Sequence, residues 1–166
     1  MNKKIKYIDG IRFYRSVVVG IHNLISRQDY LNQINVFPVP DGDTGTNMAF
    51  TVNEILEGTS GTISSKIGEI SQQVADLALD GARGNSGAIL AQFFVGLSDS
   101  LEGKDKMSVK DFSTAFSRAS DNAWEALSNP QEGTILTVFK DISKFLSEYT
   151  SNSDNDDFVP LMELCL

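Results

Sequence analysis

Cysteine is almost absent from this sequence of 166 residues, in which Cys165 is the only one. A single cysteine excludes an internal disulfide and a zinc site built from several cysteines. Basic residues are also scarce: 14 Lys and Arg stand against 22 Asp and Glu, which gives a formal net charge of −8. Nucleic acids and anionic membranes attract basic surfaces, so we expect neither as a partner.

Long apolar runs are missing as well. No stretch approaches the roughly 20 residues of a membrane-spanning helix, and the N-terminal MNKKIKYIDG lacks the apolar segment of a signal peptide. We therefore expect a cytoplasmic protein without a membrane span. The length is that of one domain with a hydrophobic core.

Apolar residues recur at spacings of three and four along most of the chain, the pattern of amphipathic helices. The spacing predicts helices over about 9–28, 48–56, 66–82, 87–101, 108–127 and 134–149. Ser108 and Asp111 resemble a capping box at the start of the fifth of these helices. No segment alternates apolar and polar residues in the way of a strand. The sequence therefore predicts an all-α bundle or barrel.

The connections between the predicted helices are of two kinds. The segments 57–65 and 151–157 are small, polar and acidic, and we expect solvated loops there, with 151–157 flexible. The segments 38–47, 81–87 and 129–134 combine glycine with polar residues, and each immediately precedes a predicted helix. Helix N-termini present unpaired N–H groups and a positive dipole end, and glycine lets a ligand approach the backbone. If these three loops converge, they would bind an anion without lysine side chains.

The loop 38–47 has two interpretations. Asp41 and Asp43, at alternate positions, could direct both carboxylates to one point and bind magnesium or calcium. Asp, Gly, Thr and Asn are equally typical of a turn followed by a helix cap. The spacing does not fit an EF-hand, and GARGNSG at 81–87 lacks the lysine of a P-loop. The residues of this loop alone leave both interpretations open.

For other residues that could take part in binding or catalysis, the sequence leaves the role open or favours a structural one. Arg83 lies at a predicted helix end, where an arginine can bind phosphate or pair with a carboxylate. His22, the pair Phe93 and Phe94, and Trp124 lie at helical spacing among apolar residues, which is typical of structural positions. The three glycine-containing loops are therefore the candidate functional segments.

Three motifs, in this order and spacing, resemble the ATP-binding domain of the dihydroxyacetone kinase superfamily: NVFPVPDGDTGTNM at 35–48, GARGNSGAILAQ at 81–92 and EGTILTV at 132–138. The resemblance covers about residues 5–150. It is strongest to the N-terminal nucleotide-binding domain of bacterial fatty acid kinase. It implies a barrel of eight amphipathic antiparallel helices that holds ATP or ADP at one end, with two magnesium ions between acidic residues and the phosphates.

The same resemblance implies roles for individual residues. Asp41 and Asp43 would be the catalytic metal carboxylates, and Asn35 would add a neutral oxygen to the metal site. Asn35 and Thr44 stand where the dihydroxyacetone kinases carry Asp and His, as in the fatty acid kinase branch. The residues implied for phosphate contact are Thr44, Gly45, Thr46, Asn47, Arg83, Gly84, Asn85, Ser86 and Gly87, and those implied beside the adenine are Ile89, Thr134 and Ile135.

The implied activity is phosphoryl transfer from Mg-ATP to the carboxylate of a fatty acid that a separate fatty-acid-binding carrier protein presents. An ionised carboxylate needs no general base, and no obvious base lies beside the metal loop in the sequence. Three alternatives stay open: a dihydroxyacetone (glycerone) kinase-type subunit, a nucleotide-binding remnant without turnover, and a metal-stabilised helical interaction module.

The family domain continues through further helices beyond the point that matches the end of this sequence. We therefore expect residues 1–166 to form a single nucleotide-binding kinase domain that is truncated at its C-terminus. A barrel without its last helices would expose core surface, which favours self-association and weakens nucleotide binding. This chain alone could then be inactive.

Overall fold

A computed structural model of the protein describes residues 4–36, 39–59, 61, 63–152 and 155–165. The structure is 72% helical, which confirms the all-α prediction. The elements in chain order are β1 Ile8–Asp9, α1 Gly10–Ser26, α2 Gln28–Gln33, α3 Thr44–Gly58, α4 Ile67–Asp80, α5 Gly84–Leu101, β2 Lys106–Met107, α6 Val109–Glu125, α7 Ile135–Asn152 and α8 Phe158–Leu164.

The predicted capping box at the start of α6 is confirmed. The Ser108 side chain accepts a hydrogen bond from the Asp111 N–H at 3.2 Å, and the Asp111 carboxylate accepts one from the Ser108 N–H at 2.9 Å. Two otherwise unpaired N–H groups are thereby satisfied at one helix end. At the start of α1, the Asp9 side chain accepts a hydrogen bond from the N–H of Arg12 at 2.9 Å.

The first predicted helix, 9–28, is divided in the structure. Arg27 leaves the helical conformation with φ −106° and ψ 8°, and the chain resumes as the short helix α2. The strand pair is a second difference: β1 and β2 are antiparallel, with Ile8 opposite Met107. Strands of two residues each are too short to show an alternating pattern, so the sequence analysis could not detect them.

The predicted loop 151–157 needs a correction, because much of its described part is structured. Ser151 and Asn152 belong to α7. Asp157 starts α8, and its carboxylate accepts hydrogen bonds from the N–H groups of Val159 at 3.1 Å and Ile5 at 2.9 Å. This segment therefore fastens the beginning of the chain to its last helix.

Asp156 adds ion pairs to this attachment. Its carboxylate contacts the ammonium groups of Lys4 and of Lys6, the latter at 2.7 Å. Hydrogen bonds from Lys4 and Lys6 lower the pKa of Asp156 to about 2. The acidic run thus contains a structural carboxylate that the sequence analysis treated as merely solvated.

The core is centred on α5, which packs against α3, α4 and α6. The Phe93 ring of α5 stacks on Phe139 of α7, with 4.3 Å between centroids, and meets Phe116 of α6 edge to face at 5.0 Å. These aromatic contacts join three helices, as expected of a core position. No described helix is long and apolar enough to span a membrane.

Gly96 sets the distance between α5 and α6. A Cβ atom at Gly96 would lie 2.8 Å from the Ala119 Cα and 2.8 Å from the Arg118 carbonyl oxygen. The two helix backbones therefore almost touch at this crossing. This contact helps to fix α5, whose N-terminus forms part of the candidate site.

Candidate functional site

The N-termini of α3 and α5 meet at one end of the bundle. Asn47 lies in the first turn of α3 with 8% of its surface exposed, and Gly84 starts α5 with φ +60°. A Cβ atom at Gly84 would lie 2.4 Å from the Asn47 Nδ2 atom, and one at Gly87 would lie 2.3 Å from the Thr51 Oγ1 atom. Because these two glycines have no side chains, the loops 38–47 and 81–87 can come together.

Hydrogen bonds also connect the first two loops. The Thr44 hydroxyl donates to the Asn35 Oδ1 atom at 2.9 Å, and the Asn35 amide donates to the Val39 carbonyl at 2.9 Å. The Ser86 hydroxyl lies 3.5 Å from the Thr44 carbonyl oxygen, which is a long hydrogen bond. Asn35, Thr44 and Ser86 therefore form a polar chain from one loop to the other.

The start of α3 is held by α2. The Asn32 Oδ1 atom accepts the Thr46 N–H at 3.1 Å, and the Asn32 amide donates to the Thr46 hydroxyl at 2.9 Å. A second amide, that of Gln28, donates to the same hydroxyl at 3.3 Å. The Thr46 N–H is thus already engaged, while the hydrogen of its hydroxyl group can still be donated.

Gly45 makes this attachment possible, since a Cβ atom there would lie 2.2 Å from the Gln28 carbonyl oxygen. Asn32 and Gln28 were missed by the sequence analysis. Their spacing of four residues just before the aspartate loop was the available signal, because it places two amides on one helix face.

Asp41 and Asp43 are exposed at the mouth of this junction. Gly42 between them has φ +66°, and Asp43 precedes α3 without forming a side-chain cap. The turn-and-cap interpretation therefore does not account for the Asp43 carboxylate. Within the described ranges, neither carboxylate forms a hydrogen bond or ion pair with the protein.

The donor set around these aspartates can be compared with the needs of magnesium. The described residues contain no group of three or more His, Cys, Asp or Glu side chains arranged for a metal. Magnesium, however, is commonly held by one or two carboxylates, with water and phosphate oxygens completing the octahedron. Asp41 and Asp43, with the amide oxygen of Asn35 nearby in the polar chain, fit that chemistry.

The Asn47 side chain is the most informative group of the site. It is more than nine-tenths buried, yet its carboxamide has no hydrogen-bond partner among the residues that the structure describes. No buried side-chain nitrogen or oxygen atom of the described residues lacks a hydrogen-bond partner, so the polar atoms of this carboxamide stay accessible to solvent and to a ligand. Its position between two helix N-termini, where N–H groups and the dipole favour negative charge, indicates an anionic ligand.

Arg83 lies just before α5, and its contact with phosphate stays a prediction. Its N–H donates to the Thr51 hydroxyl at 3.3 Å, and its guanidinium carbon lies 4.6 Å from the centroid of the Phe50 ring. No carboxylate pairs with it in the described part of the chain. Asn85, the next polar residue of this loop, is exposed.

The third predicted loop is organised locally. The Thr134 hydroxyl donates to the Gln131 carbonyl at 2.9 Å and accepts the Leu136 N–H at 3.3 Å, so Thr134 caps α7. Ile135 is half-buried. Among the described residues, no hydrogen bond joins this loop to the other two. The structure therefore brings together two of the three loops, and the convergence of the third stays a prediction.

Ile89, the remaining residue implied beside the adenine, lies in the hydrophobic core with 6% of its surface exposed. This burial leaves little of its side chain for a ligand. A contact between Ile89 and a nucleotide stays a prediction.

An all-α domain in which two glycine-containing helix starts meet beside an accessible, unpaired amide belongs to the class that can bind anions without a basic pocket. The comparison with known families gives a definite assignment. Residues 38–165 match the DAK2 domain, and the chain belongs to this family. DAK2 domains are part of the dihydroxyacetone kinase family, so the chain is a nucleotide-binding, kinase-related domain.

Proteins similar to the chain include uncharacterized ones from staphylococci. One from Staphylococcus epidermidis is 40% identical over 158 residues, covering 95% of this chain and 28% of the relative. One from Staphylococcus saprophyticus is 40% identical over 159 residues, covering 96% and 28%. One from Staphylococcus aureus is 38% identical over 159 residues, covering 96% and 29%. The chain therefore spans less than a third of the length of these relatives.

Proposed function

We propose that this chain is the Mg-ATP-binding domain of a phosphotransferase. The observation that carries the proposal is the accessible Asn47 carboxamide, which has no protein partner in the described ranges and lies where α3 and α5 begin. A phosphate oxygen would accept from its NH₂ group. The membership of the DAK2 family supports a nucleotide as the source of that phosphate.

Different residues of the site would bind the metal ion and the phosphates of the nucleotide. Asp41 and Asp43, with the amide oxygen of Asn35, would hold magnesium, which neutralises charge on the phosphates when bound. The N–H groups at the start of α3 and α5 and the hydroxyl of Ser86 would donate to phosphate oxygens. In phosphoryl transfer the protein mainly positions charge and reactants. A site of this composition would therefore be sufficient to bind and position the ATP that donates the phosphoryl group.

The proposed acceptor is the carboxylate of a fatty acid presented by a separate carrier protein. The support comes from the motif pattern, in which Asn35 and Thr44 stand where the dihydroxyacetone kinases carry Asp and His. The only histidine of the chain, His22, lies on α1 rather than in the aspartate loop. A carboxylate is already ionised near neutral pH and needs no general base, whereas a hydroxyl acceptor benefits from one.

Calorimetric titration of Mg-ATP into the chain tests the proposed binding of the phosphoryl donor. We expect Asp41→Asn and Asp43→Asn each to weaken binding by about tenfold or more, because each removes a charged metal ligand. Asp29→Asn is the matched control, since Asp29 is an exposed carboxylate on α2 outside the loop. Absence of Mg-ATP binding by the unaltered chain, or equal affinities of all three variants, would contradict the proposal.

A second assay separates the acceptors. The full-length protein would be incubated with Mg-ATP and either a carrier-bound fatty acid or dihydroxyacetone, and acyl phosphate would be trapped with hydroxylamine. Formation of the hydroxamate with the fatty acid supports the proposal. Phosphorylation of dihydroxyacetone alone would assign the chain to a glycerone kinase-type subunit, and nucleotide binding without transfer to either would indicate a non-catalytic domain.

A further inference from the structure

Arg83 is the only basic residue in the loops 38–47, 81–87 and 129–134. The carboxylates of Asp41 and Asp43 bring negative charge to the mouth of the junction between α3 and α5, and the phosphates of a nucleotide would add more. A bound magnesium ion would offset part of this charge. Arg83 is exposed and forms no ion pair among the described residues, so its positive charge is available to a phosphate.

The backbone around Arg83 lies directly against α3. The Arg83 N–H donates to the Thr51 hydroxyl at 3.3 Å. A Cβ atom at Gly81 would lie 2.9 Å from the Thr51 carbonyl oxygen, and one at Gly84 would lie 2.4 Å from the Asn47 Nδ2 atom. Residues 81–84 therefore follow α3 from Thr51 to Asn47, which is about one helical turn. The Arg83 side chain starts within that turn of the candidate phosphate site.

The Arg83 side chain lies over the face of the Phe50 ring. Its guanidinium carbon is 4.6 Å from the centroid of the ring, within the range in which a ring face attracts a cation. Phe50 follows Asn47 by three residues on α3. Residues at this spacing are neighbours on the helix surface, separated by a rise of about 4.5 Å along the axis. The ring thus keeps the positive charge close to the N-terminus of α3.

Packing in the core does not explain Phe50. The residue is 52% exposed, whereas Met48, Val52 and Ile55 of the same helix are buried. An exposed side chain contributes little to the hydrophobic core. The contact between the ring and the Arg83 guanidinium is therefore the clearest role that the structure gives this side chain.

We propose that Phe50 is a positioning residue for Arg83, whose guanidinium binds a phosphate of the nucleotide. This inference rests on the proposed function, because it needs a nucleotide at the start of α3. The ring itself has no polar group to offer a phosphate. It acts by restricting the long arginine side chain before binding, so that less conformational freedom is lost when the phosphate is bound.

Calorimetric titration of Mg-ATP into variants of the intact chain tests the inference. We expect Arg83→Gln to weaken binding by about tenfold or more, because it removes a charged donor to phosphate. Phe50→Leu keeps an apolar side chain but removes the ring face, and we expect it to weaken binding by about two- to fivefold. Phe50→Tyr keeps the ring face, so its affinity should stay within about twofold of that of the unaltered chain.

The double variant Phe50→Leu with Arg83→Gln makes the test specific. If the ring acts only through the guanidinium, the double variant should bind Mg-ATP as Arg83→Gln alone does. The pair of Tyr7 and Lys106 supplies matched controls: Lys106 lies over the Tyr7 ring at 5.0 Å, and Tyr7 is 49% exposed. Tyr7→Leu and Lys106→Gln remove the same kind of contact outside the site and should leave the affinity unchanged. Urea denaturation of Phe50→Leu should match that of the unaltered chain.

The outcomes separate this inference from the proposed function. Binding that is weakened by Asp41→Asn and Asp43→Asn, but not by Arg83→Gln or Phe50→Leu, would overturn the inference and leave the proposed function standing. Phe50→Leu could also weaken binding equally with and without Arg83, or Phe50→Tyr could bind as weakly as Phe50→Leu. Either result would show that Phe50 does not act through Arg83. Absence of Mg-ATP binding by the unaltered chain would overturn both.

Discussion

The Asn47 amide occupies the space in which a side chain at Gly84 would have to lie. A Cβ atom at Gly84 would come within 2.4 Å of the Asn47 Nδ2 atom, and Gly84 has φ +60°. We expect Gly84→Ala to lower the free energy of unfolding by about 1–2 kcal/mol through the left-handed backbone, and further through the clash. The variant should also weaken Mg-ATP binding, because Asn47 must move.

Gly103→Ala separates the two effects on stability. Gly103 also has a positive φ, +71°, but a Cβ atom there would meet nothing within 4 Å. This control should lose only the backbone contribution and should leave nucleotide affinity unchanged. Urea denaturation and calorimetry of both variants check the expectation. Equal losses of stability, or unaltered nucleotide affinity in Gly84→Ala, would show that the contact with Asn47 is unimportant.

The helices of this fold could be predicted well because they are amphipathic and long. The apolar spacing located the six helices from α1 to α7, apart from α2, and the capping box at Ser108 was found from two residues. The short helix α2 and the strand pair β1–β2 were missed, since each depends on contacts distant in sequence. The ion pairs of Asp156 with Lys4 and Lys6 were missed for the same reason.

Part of the geometry of the candidate site was also predictable. Glycines and polar residues before two helices indicated a site, and the structure places Asn47 beside Gly84. Ligand binding by these residues stays a prediction. The support from Asn32 could not be predicted, because its partner Thr46 is reached only after the chain folds back. The location of the loop 129–134 relative to the others depends on how α7 packs, which local spacing does not determine.

Removal of the Asn32 side chain should affect both stability and binding. Asn32→Ala deletes the acceptor of the Thr46 N–H and the donor to its hydroxyl. We expect a loss of about 1–2 kcal/mol in the free energy of unfolding, as for other helix caps, and weaker Mg-ATP binding because α3 starts less rigidly. Gln33→Ala is the control, since Gln33 is the exposed neighbour on α2. If both variants denature at the same urea concentration, Asn32 does not hold α3.

Two helical glycines should respond in opposite directions to the same change. Gly96→Ala would place a Cβ atom 2.8 Å from the Ala119 Cα, so α5 and α6 must separate. We expect a loss of about 1–3 kcal/mol, as for other overpacked cores. Gly20→Ala on α1 meets nothing within 4 Å, and alanine should stabilise the helix there by about 0.5–1 kcal/mol. Chemical denaturation compares the two; a stabilised Gly96→Ala would mean that the helices do not approach closely at that point.

The capping box at α6 should make stability depend on pH. Partial burial raises the pKa of the Asp111 carboxyl, but hydrogen bonds from Ser108 and Lys104 outweigh that effect, and the pKa is lowered in the folded protein. A carboxyl with a lowered folded-state pKa stabilises the fold above its unfolded pKa, about 3.9 for Asp, and this contribution is lost as the pH falls through the folded value.

The variant Asp111→Asn therefore should lose about 1 kcal/mol of unfolding free energy at pH 7, and the difference from the unaltered chain should shrink as the pH falls below about 4. Asp121→Asn, an exposed change on the same helix, should show no such dependence. Urea denaturation at neutral and acidic pH measures both differences. A deficit in Asp111→Asn that stays constant or grows toward low pH would show that the ionised carboxylate does not stabilise the start of α6.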